Sequence, residues 1–453
     1  MSHQSPSLTL PAVVGADTLV PLTDGRRVSY ANLDGAASAP SLQVVADRVA
    51  EVLPLYASVH RGAGYLSQVS TSLYEASRSG IASFVGARDE DVAVITRNTT
   101  DAINLLAAAV PGRVLVLDLE HHANLLPWQR QIHGATVLVG SATVSETLAH
   151  IDRTLAEQHH ALLAVTGASN VTGEALPLDD VVAIARRHGA RVFVDGAQLL
   201  AHRRLSLHDT GVDYVAFSGH KLYAPFGAGA LVGRRDWLDE AEPYLAGGGA
   251  VRQVTVEGAQ WAPSPARHEA GSPNVIGAAA LAAACEALAT IPGEALRRHE
   301  DTLRQQLVEG LRALSGVSIA RLFTDSDDVL GVVTFTVDGT DPGLVAAYLS
   351  AEHGIGVRDG RFCAHPLLAR IGLDEGAVRA SIGLGTTADD IIRLLEGLGR
   401  LVTDGPTGTY EIVDGCWTVA DDRRPLPDGL GLSSLIATAS AACGPAPAAL
   451  VPV

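Results

Sequence analysis

Cysteine is scarce in this chain: four residues among 453, Cys285, Cys363, Cys416 and Cys443, with none of the close pairing that ligates zinc. So few in so long a chain points to a reducing compartment and a fold that needs no disulfides, and no metal is expected. Positive charge is short as well. The formal net charge is -17 and no dense basic patch interrupts it, which excludes a phosphate-backbone partner such as nucleic acid. No lysine or arginine precedes Arg26, so the basic start of a secretory signal is missing and a cytoplasmic location is expected. From Gly429 to Val453 there is no charge at all, yet its Gly, Ser, Pro and Ala content falls short of the ~20 strongly apolar residues a membrane span requires. A flexible tail and no membrane contact are the expectation. Internal repeats are absent, as are the Walker and dinucleotide-binding glycine fingerprints.

What the chain does have is apolar content, 47%, enough to bury at least one large core and to fill two or three domains. Apolar runs such as Val114 to Leu117, Leu162 to Val165 and Val192 to Val194 alternate with amphipathic stretches such as Leu178 to His188. That is the rhythm of an α/β fold with a mainly parallel sheet, running from about residue 90 to 235. After Asn274 the pattern changes to an alanine-rich helix, Ile276 to Thr290, a second helix, Glu294 to Leu314, and a strand, Gly331 to Val337. The organisation expected is an N-terminal segment (1–29), a large domain (30–275), a small α+β domain (276–403) and an extension (404–453) that opens with a hairpin at Tyr410 to Val419.

Chemistry concentrates where apolar runs end. Asp195 closes one such run, and Lys221 follows the next in Ser218-Gly219-His220-Lys221. Both are placed at the carboxyl ends of buried strands, where open α/β sheets bind ligands. A buried lysine can form a Schiff base with an aldehyde cofactor, and an aspartate can keep a pyridine nitrogen protonated; together they point to pyridoxal 5'-phosphate. Such a cofactor also needs phosphate donors and a flat partner. Thr100, in Arg97-Asn98-Thr99-Thr100-Asp101 at the start of an apolar helix, would face an anion and is the phosphate candidate, and Ser218 and His220 are close enough in sequence to the lysine to reach the same phosphate. Gln198 could donate to the ring's phenolic oxygen, and His121 could stack on the ring and move protons. Asn170 and Arg379 could take a substrate carboxylate, the arginine through two hydrogen bonds. Taken singly, each is an ordinary cap, loop residue or surface ion pair.

In order along residues 30 to 400, the chain resembles the class V aminotransferase family of fold type I pyridoxal enzymes, in its cysteine desulfurase and selenocysteine lyase branch. The carriers are Leu33-Asp34-Gly35-Ala36-Ala37-Ser38, Val59-His60-Arg61-Gly62, Asn98-Thr99-Thr100, Glu120-His121-His122-Ala123-Asn124 with Pro127-Trp128-Gln129, Ser169-Asn170-Val171, Val194-Asp195-Gly196-Ala197-Gln198, Ser218-Gly219-His220-Lys221 and Arg267-His268-Glu269-Ala270-Gly271-Ser272-Pro273-Asn274. The resemblance implies Lys221 as the cofactor lysine, Asp195 on the ring nitrogen, His121 on the ring, and Thr99, Thr100, Ser218 and His220 around the phosphate. It implies a small amino-acid substrate met by Ala36, His60, Arg61, Asn170, Arg358 and Arg379. It further implies a homodimer, with Ser272 and His60-Arg61 reaching the partner's site. Cys363 would carry sulfur as a persulfide, converting L-cysteine to L-alanine, and the short stretch from Gly354 to Cys363 resembles a subgroup that relies on a sulfur-accepting protein. Arg361-Phe362 replaces the two histidines common before that cysteine, so a class V aminotransferase, epimerase or C–S lyase without persulfide chemistry is the alternative. Arg361 could favour the thiolate.

Overall fold

The structure is a computed structural model that describes residues 10–60 and 62–435; Arg61 and the part of the expected tail beyond 435 lie outside the described residues. Strands with no polar face dictate the centre. Val114–Leu117, Leu162–Thr166 and Tyr214–Ser218 are buried at every position, as strands covered on both faces must be. They belong to a seven-stranded sheet ordered Asp91–Thr96, Gly229–Arg234, Tyr214–Ser218, Arg191–Asp195, Leu162–Thr166, Val114–Leu117, Ala135–Leu138. The last five are parallel, and Gly229–Arg234 runs antiparallel to both of its neighbours.

Helices close both faces. Leu178–Arg187 shows why one of them forms: Asp179 and Asp180 open it, Arg186 and Arg187 close it in line with the helix dipole, and Val181, Val182, Ile184 and Ala185 are buried. Val275–Thr290 lacks a polar stripe and is buried almost throughout, packed against Gln43–Val52 and Tyr65–Phe84. Among the described residues, no single helix is long and apolar enough to cross a membrane.

The C-terminal unit is an antiparallel sheet ordered Val317–Ile319, Val332–Val337, Ala377–Ser381, Arg358–Gly360. It packs with Gly293–Ala313, Pro342–His353 and Ala388–Asp404 around a core that includes Leu307, Phe335, Leu349 and Leu394. Ala31 and Leu33 join this core, and Ala31–Asn32 pairs in parallel with Ile355–Gly356. The division expected at residue 30 is therefore crossed at its start, because a two-residue strand carries no periodicity to read. The expected hairpin forms as Tyr410–Val413 and Cys416–Val419. Glu352 holds its entry, accepting from the backbone N–H groups of Thr407 (3.2 Å) and Gly408 (2.8 Å) and from Tyr410 Oη (3.0 Å).

Candidate active site

Strand ends bring the charged residues together. Asp195 and Ser218 are the last residues of adjacent parallel strands, and the turn Gly219–Lys221 carries the lysine back over them. They line a cavity of about 580 Å³ shared with Asp34, Ala36, Asn98, Thr99, Thr100, His121, Asn170, Gln198, His220, Arg358, Phe362, Cys363 and Arg379. Burial lowers the Lys221 amine to about 8, although Asp195 opposes the shift. Burial likewise pushes the Asp195 carboxyl up, while the Ala197 N–H, 3.0 Å from Oδ1, and Lys221 hold it down. One signal went unused in the sequence. Lys221 is the only lysine, and the other 32 basic residues are arginines.

Hydroxyls gather at one corner. Thr99 Oγ1 lies 2.7 Å from Ser218 Oγ, which also accepts from the Thr99 N–H at 2.8 Å. Asn98 caps the helix Thr99–Ala109 by accepting from the Asp101 N–H, so the helix begins at the cavity wall. Thr100 and His220 line the same cavity. On another wall, His121 Nδ1 accepts from the Ala123 N–H at 3.0 Å, which leaves the ring proton on Nε2. Burial first, then Lys221, hold this imidazole down to about 3, so it is neutral at physiological pH. Glu120, fully buried, fixes that turn: it accepts from the Thr166 N–H (3.0 Å) and Asn124 Nδ2 (2.6 Å), and Asn124 Oδ1 accepts from Trp128 Nε1 (2.9 Å). Sequence reasoning gave these three no role. Gln198 Nε2 donates to the Ala36 carbonyl at 2.7 Å, so one of its donors is already used by the wall.

Cys363 sits in the turn between Arg358–Gly360 and His365–Arg370. Phe362 and Cys363 adopt φ of 52° and 53°, a left-handed conformation that costs a side-chain-bearing residue ~1–2 kcal/mol. Tethers to the large domain hold it. Phe362 O accepts from Asn170 Nδ2 (2.8 Å), Cys363 O accepts from the His122 N–H (2.8 Å), and the His365 N–H donates to His122 Nε2 (3.3 Å). Farther along, Arg370 binds Asp118 (3.1 Å) and the Ser141 carbonyl (2.6 Å). Phe362, 5% exposed, packs under the Arg379 guanidinium, so the aromatic in the place of a histidine serves the core. Arg379 Nη1 donates to the Asn170 carbonyl (2.8 Å) and Nη2 to Asp34 (3.2 Å), while its buried Nε has no partner. A substrate carboxylate would meet an arginine already set in place, with Arg358 beside it.

His60 and Ser272 are exposed and line no part of this cavity. His60 Nε2 is 2.9 Å from Glu75, and its ring stands edge-on to Tyr74, whose hydroxyl donates to Glu269 (3.0 Å), three residues before Ser272. Tyr74 thus links His60 to the segment that carries Ser272. The donor set inside the cavity fits a phosphorylated pyridine aldehyde: hydroxyls and a helix start for the phosphate, a buried carboxylate for the ring nitrogen, a neutral imidazole for the ring face and one lysine for the aldehyde.

The aminotransferase class-V family model matches residues 31–394. A cysteine desulfurase of Pectobacterium atrosepticum is 38% identical over 395 residues, covering 83% of this chain and 94% of that protein. A probable cysteine desulfurase of Vibrio cholerae is 32% identical over 84% of this chain and 95% of its own length. Among solved structures, the apo cysteine desulfurase of Thermococcus onnurineus NA1 superimposes with a TM-score of 0.78 at 31% identity, over 87% of this chain and 99% of that one. A cysteine desulfurase of Escherichia coli gives 0.71 at 32% identity, over 82% and 94%.

Proposed function

Because this chain belongs to the aminotransferase class-V family, we propose that it is a pyridoxal-phosphate-dependent cysteine desulfurase that converts L-cysteine to L-alanine and keeps the sulfur on Cys363. The observation that carries the reading is the placement of Cys363 and Lys221 in the walls of one cavity. Asp195, His121, Thr99, Thr100, Ser218, His220 and Lys221 would hold the cofactor, which supplies a sink for negative charge developing at the substrate's Cα. Arg379 and Arg358 orient the substrate carboxylate, aided by Asn170 and by the Ala36 backbone. With an amine near 8, Lys221 is partly neutral at pH 7 and takes the Cα proton. His121, neutral and with Nε2–H, donates to the substrate's polar atoms. Cys363 as thiolate attacks the substrate sulfur; an S–S bond forms and the C–S bond breaks, the proton given up by the Cys363 thiol is made good at Cβ, and the proton held by Lys221 returns to Cα to complete alanine.

The active unit is a homodimer in this reading, supported by Leu53, Tyr56 and Tyr65, exposed on the segments that flank His60. His60, Arg61 and Ser272 would complete the partner's site, and a thiol acceptor would collect the sulfur. In purified protein with cofactor, L-cysteine and reductant, Cys363→Ser is expected to lose alanine formation by at least 100-fold while still binding cofactor. Arg361-Phe362 ahead of Cys363 favours one second reading, a C–S lyase or aminotransferase, which predicts pyruvate or a 2-oxo acid that persists in the same variant.

A further inference from the structure

A second hollow, of about 450 Å³, lies on the seam between the large domain and the C-terminal unit and shares no residue with the catalytic cavity. Thr172 and Glu174 reach it from the large domain, Arg304 from the helix Gly293–Ala313, and Ser326 from the loop ahead of the strand Val332–Val337. Three polar groups on its walls are unspent. Thr172 Oγ1 and Ser326 Oγ have no hydrogen-bond partner among the described residues, although the two residues are only 4% and 9% exposed. Arg304 Nε is buried without a partner as well, and no carboxylate among the described residues forms an ion pair with that guanidinium. Burial first, then Arg321, lower the Arg304 pKa below its ordinary value, against the pull of Glu174, Asp301 and Glu300. Glu174 is already engaged, accepting from the Leu322 N–H (2.6 Å) and the Phe323 N–H (3.1 Å), with Arg321 at 3.8 Å. Buried polar groups left unpaired are uncommon in a folded chain. One acceptor-only group, a carboxylate, has lone pairs enough for all three.

We propose that this hollow binds a small monocarboxylic acid with a short aliphatic body, its carboxylate on Arg304, Thr172 and Ser326. The rest of the lining selects that class. Val308, Ile319, Val332 and Val333 supply apolar wall for the body. The exposed part of the lining sets Asp301, Glu309 and Asp327 against Arg312 and Arg321, which disfavours a doubly charged anion such as phosphate. Binding here is independent of which reaction the catalytic cavity performs, yet the two places are joined by one turn. Ser169 closes it, its carbonyl accepting from the Gly173 N–H (2.9 Å) and its Oγ from the N–H groups of Val171 (3.2 Å) and Thr172 (3.3 Å). Asn170, inside the same turn, donates to the Phe362 carbonyl next to Cys363. A carboxylate that fixes Thr172 therefore steadies Asn170 and the backbone around Cys363, through a continuous run of hydrogen bonds.

Butyrate is the probe, titrated calorimetrically into the cofactor-loaded, full-length protein beside butyramide, its uncharged counterpart of the same shape, and inorganic phosphate. Butyrate is expected to bind at one site per chain that Arg379→Lys leaves intact, and to bind about 10-fold or more tighter than either control. Arg304→Gln should weaken it by about 10-fold or more, and Thr172→Val, which keeps the shape and drops the hydroxyl, by several-fold, with cofactor absorbance unchanged in both. Saturating butyrate should also slow alkylation of Cys363 by iodoacetamide several-fold in the wild type and leave the rate unchanged in Arg304→Gln. Wild-type butyrate affinity in both Arg304→Gln and Thr172→Val would overturn the site, as would phosphate binding as tightly as butyrate. A butyrate site lost in Arg379→Lys and kept in Arg304→Gln would belong to the catalytic cavity and overturn it equally. An alkylation rate unmoved by saturating butyrate would overturn the link through Asn170. Absence of alanine formation from L-cysteine would end the desulfurase reading and leave each of these outcomes standing.

Discussion

Lys221 is held where a cation is expensive, and its cost has a measurable pH signature. Its amine titrates near 8 in the folded protein against an ordinary 10.5. Between those values the unfolded chain binds more protons, so the stability of cofactor-free protein rises with pH across that window and carries the full penalty below about 8. At about 1.4 kcal/mol per unit the penalty is at most about 3.5 kcal/mol. Lys221→Met is accordingly expected to make the cofactor-free protein more stable than wild type in urea at pH 7, with the gap closing toward pH 10.5. The absence of other lysines adds a sharper check. Reduction of the loaded protein with borohydride should fix the cofactor on one internal peptide, the one containing residue 221. Motifs at the strand ends made Lys221 and Asp195 legible in the sequence: Asp195 closes one apolar run, and Lys221 follows the end of another by three residues. Glu120, Asn124 and Trp128 were not, because their role is a relay of hydrogen bonds closed by Thr166, 46 residues downstream of the carboxylate.

At the scale of elements, two devices lock the C-terminal unit to the large domain. The first is the cysteine turn, whose left-handed residues are held by Asn170 and His122. Asn170→Ala is expected to raise the rate of Cys363 alkylation by iodoacetamide several-fold, read by mass spectrometry of that peptide, as the turn relaxes toward ordinary backbone angles. The second is Glu300 on the helix Gly293–Ala313. It is 2% exposed and meets His202 (2.7 Å), Arg203 (2.5 Å) and the Gly331 N–H. These partners hold its carboxyl down at about 2 against burial. The stabilisation is whole above the ordinary 4.5 and drains away as pH falls toward 2. Glu300→Gln is expected to lower the urea midpoint at pH 7 by the equivalent of about 2–3 kcal/mol, and the difference from wild type should shrink below pH 4. Sequence periodicity found the helix; it could not find the partners, which lie about 97 residues upstream in a loop.

For the whole molecule, the parallel sheet and the later α+β unit were readable because strands buried on both faces are uniformly apolar and amphipathic helices declare their period. The N-terminal crossing onto the C-terminal unit was unreadable, since Ala31–Asn32 owes its conformation to a partner strand 324 residues away. In the proposed dimer, His60 and Ser272 stand near another chain. Light scattering of the purified protein is expected to give about twice the mass of one chain, and an inactive Lys221→Ala chain mixed with an inactive Ser272→Ala,His60→Ala chain, dissociated and reassociated, should recover part of the activity. The most direct test of the account is a joint count of alanine, pyruvate and sulfide from L-cysteine and reductant, made with the cofactor-loaded protein and its Cys363→Ala variant. Equal alanine and sulfide from the wild type, both lost in the variant, is the predicted result. Pyruvate in place of alanine, or turnover that survives loss of the thiol, would contradict it.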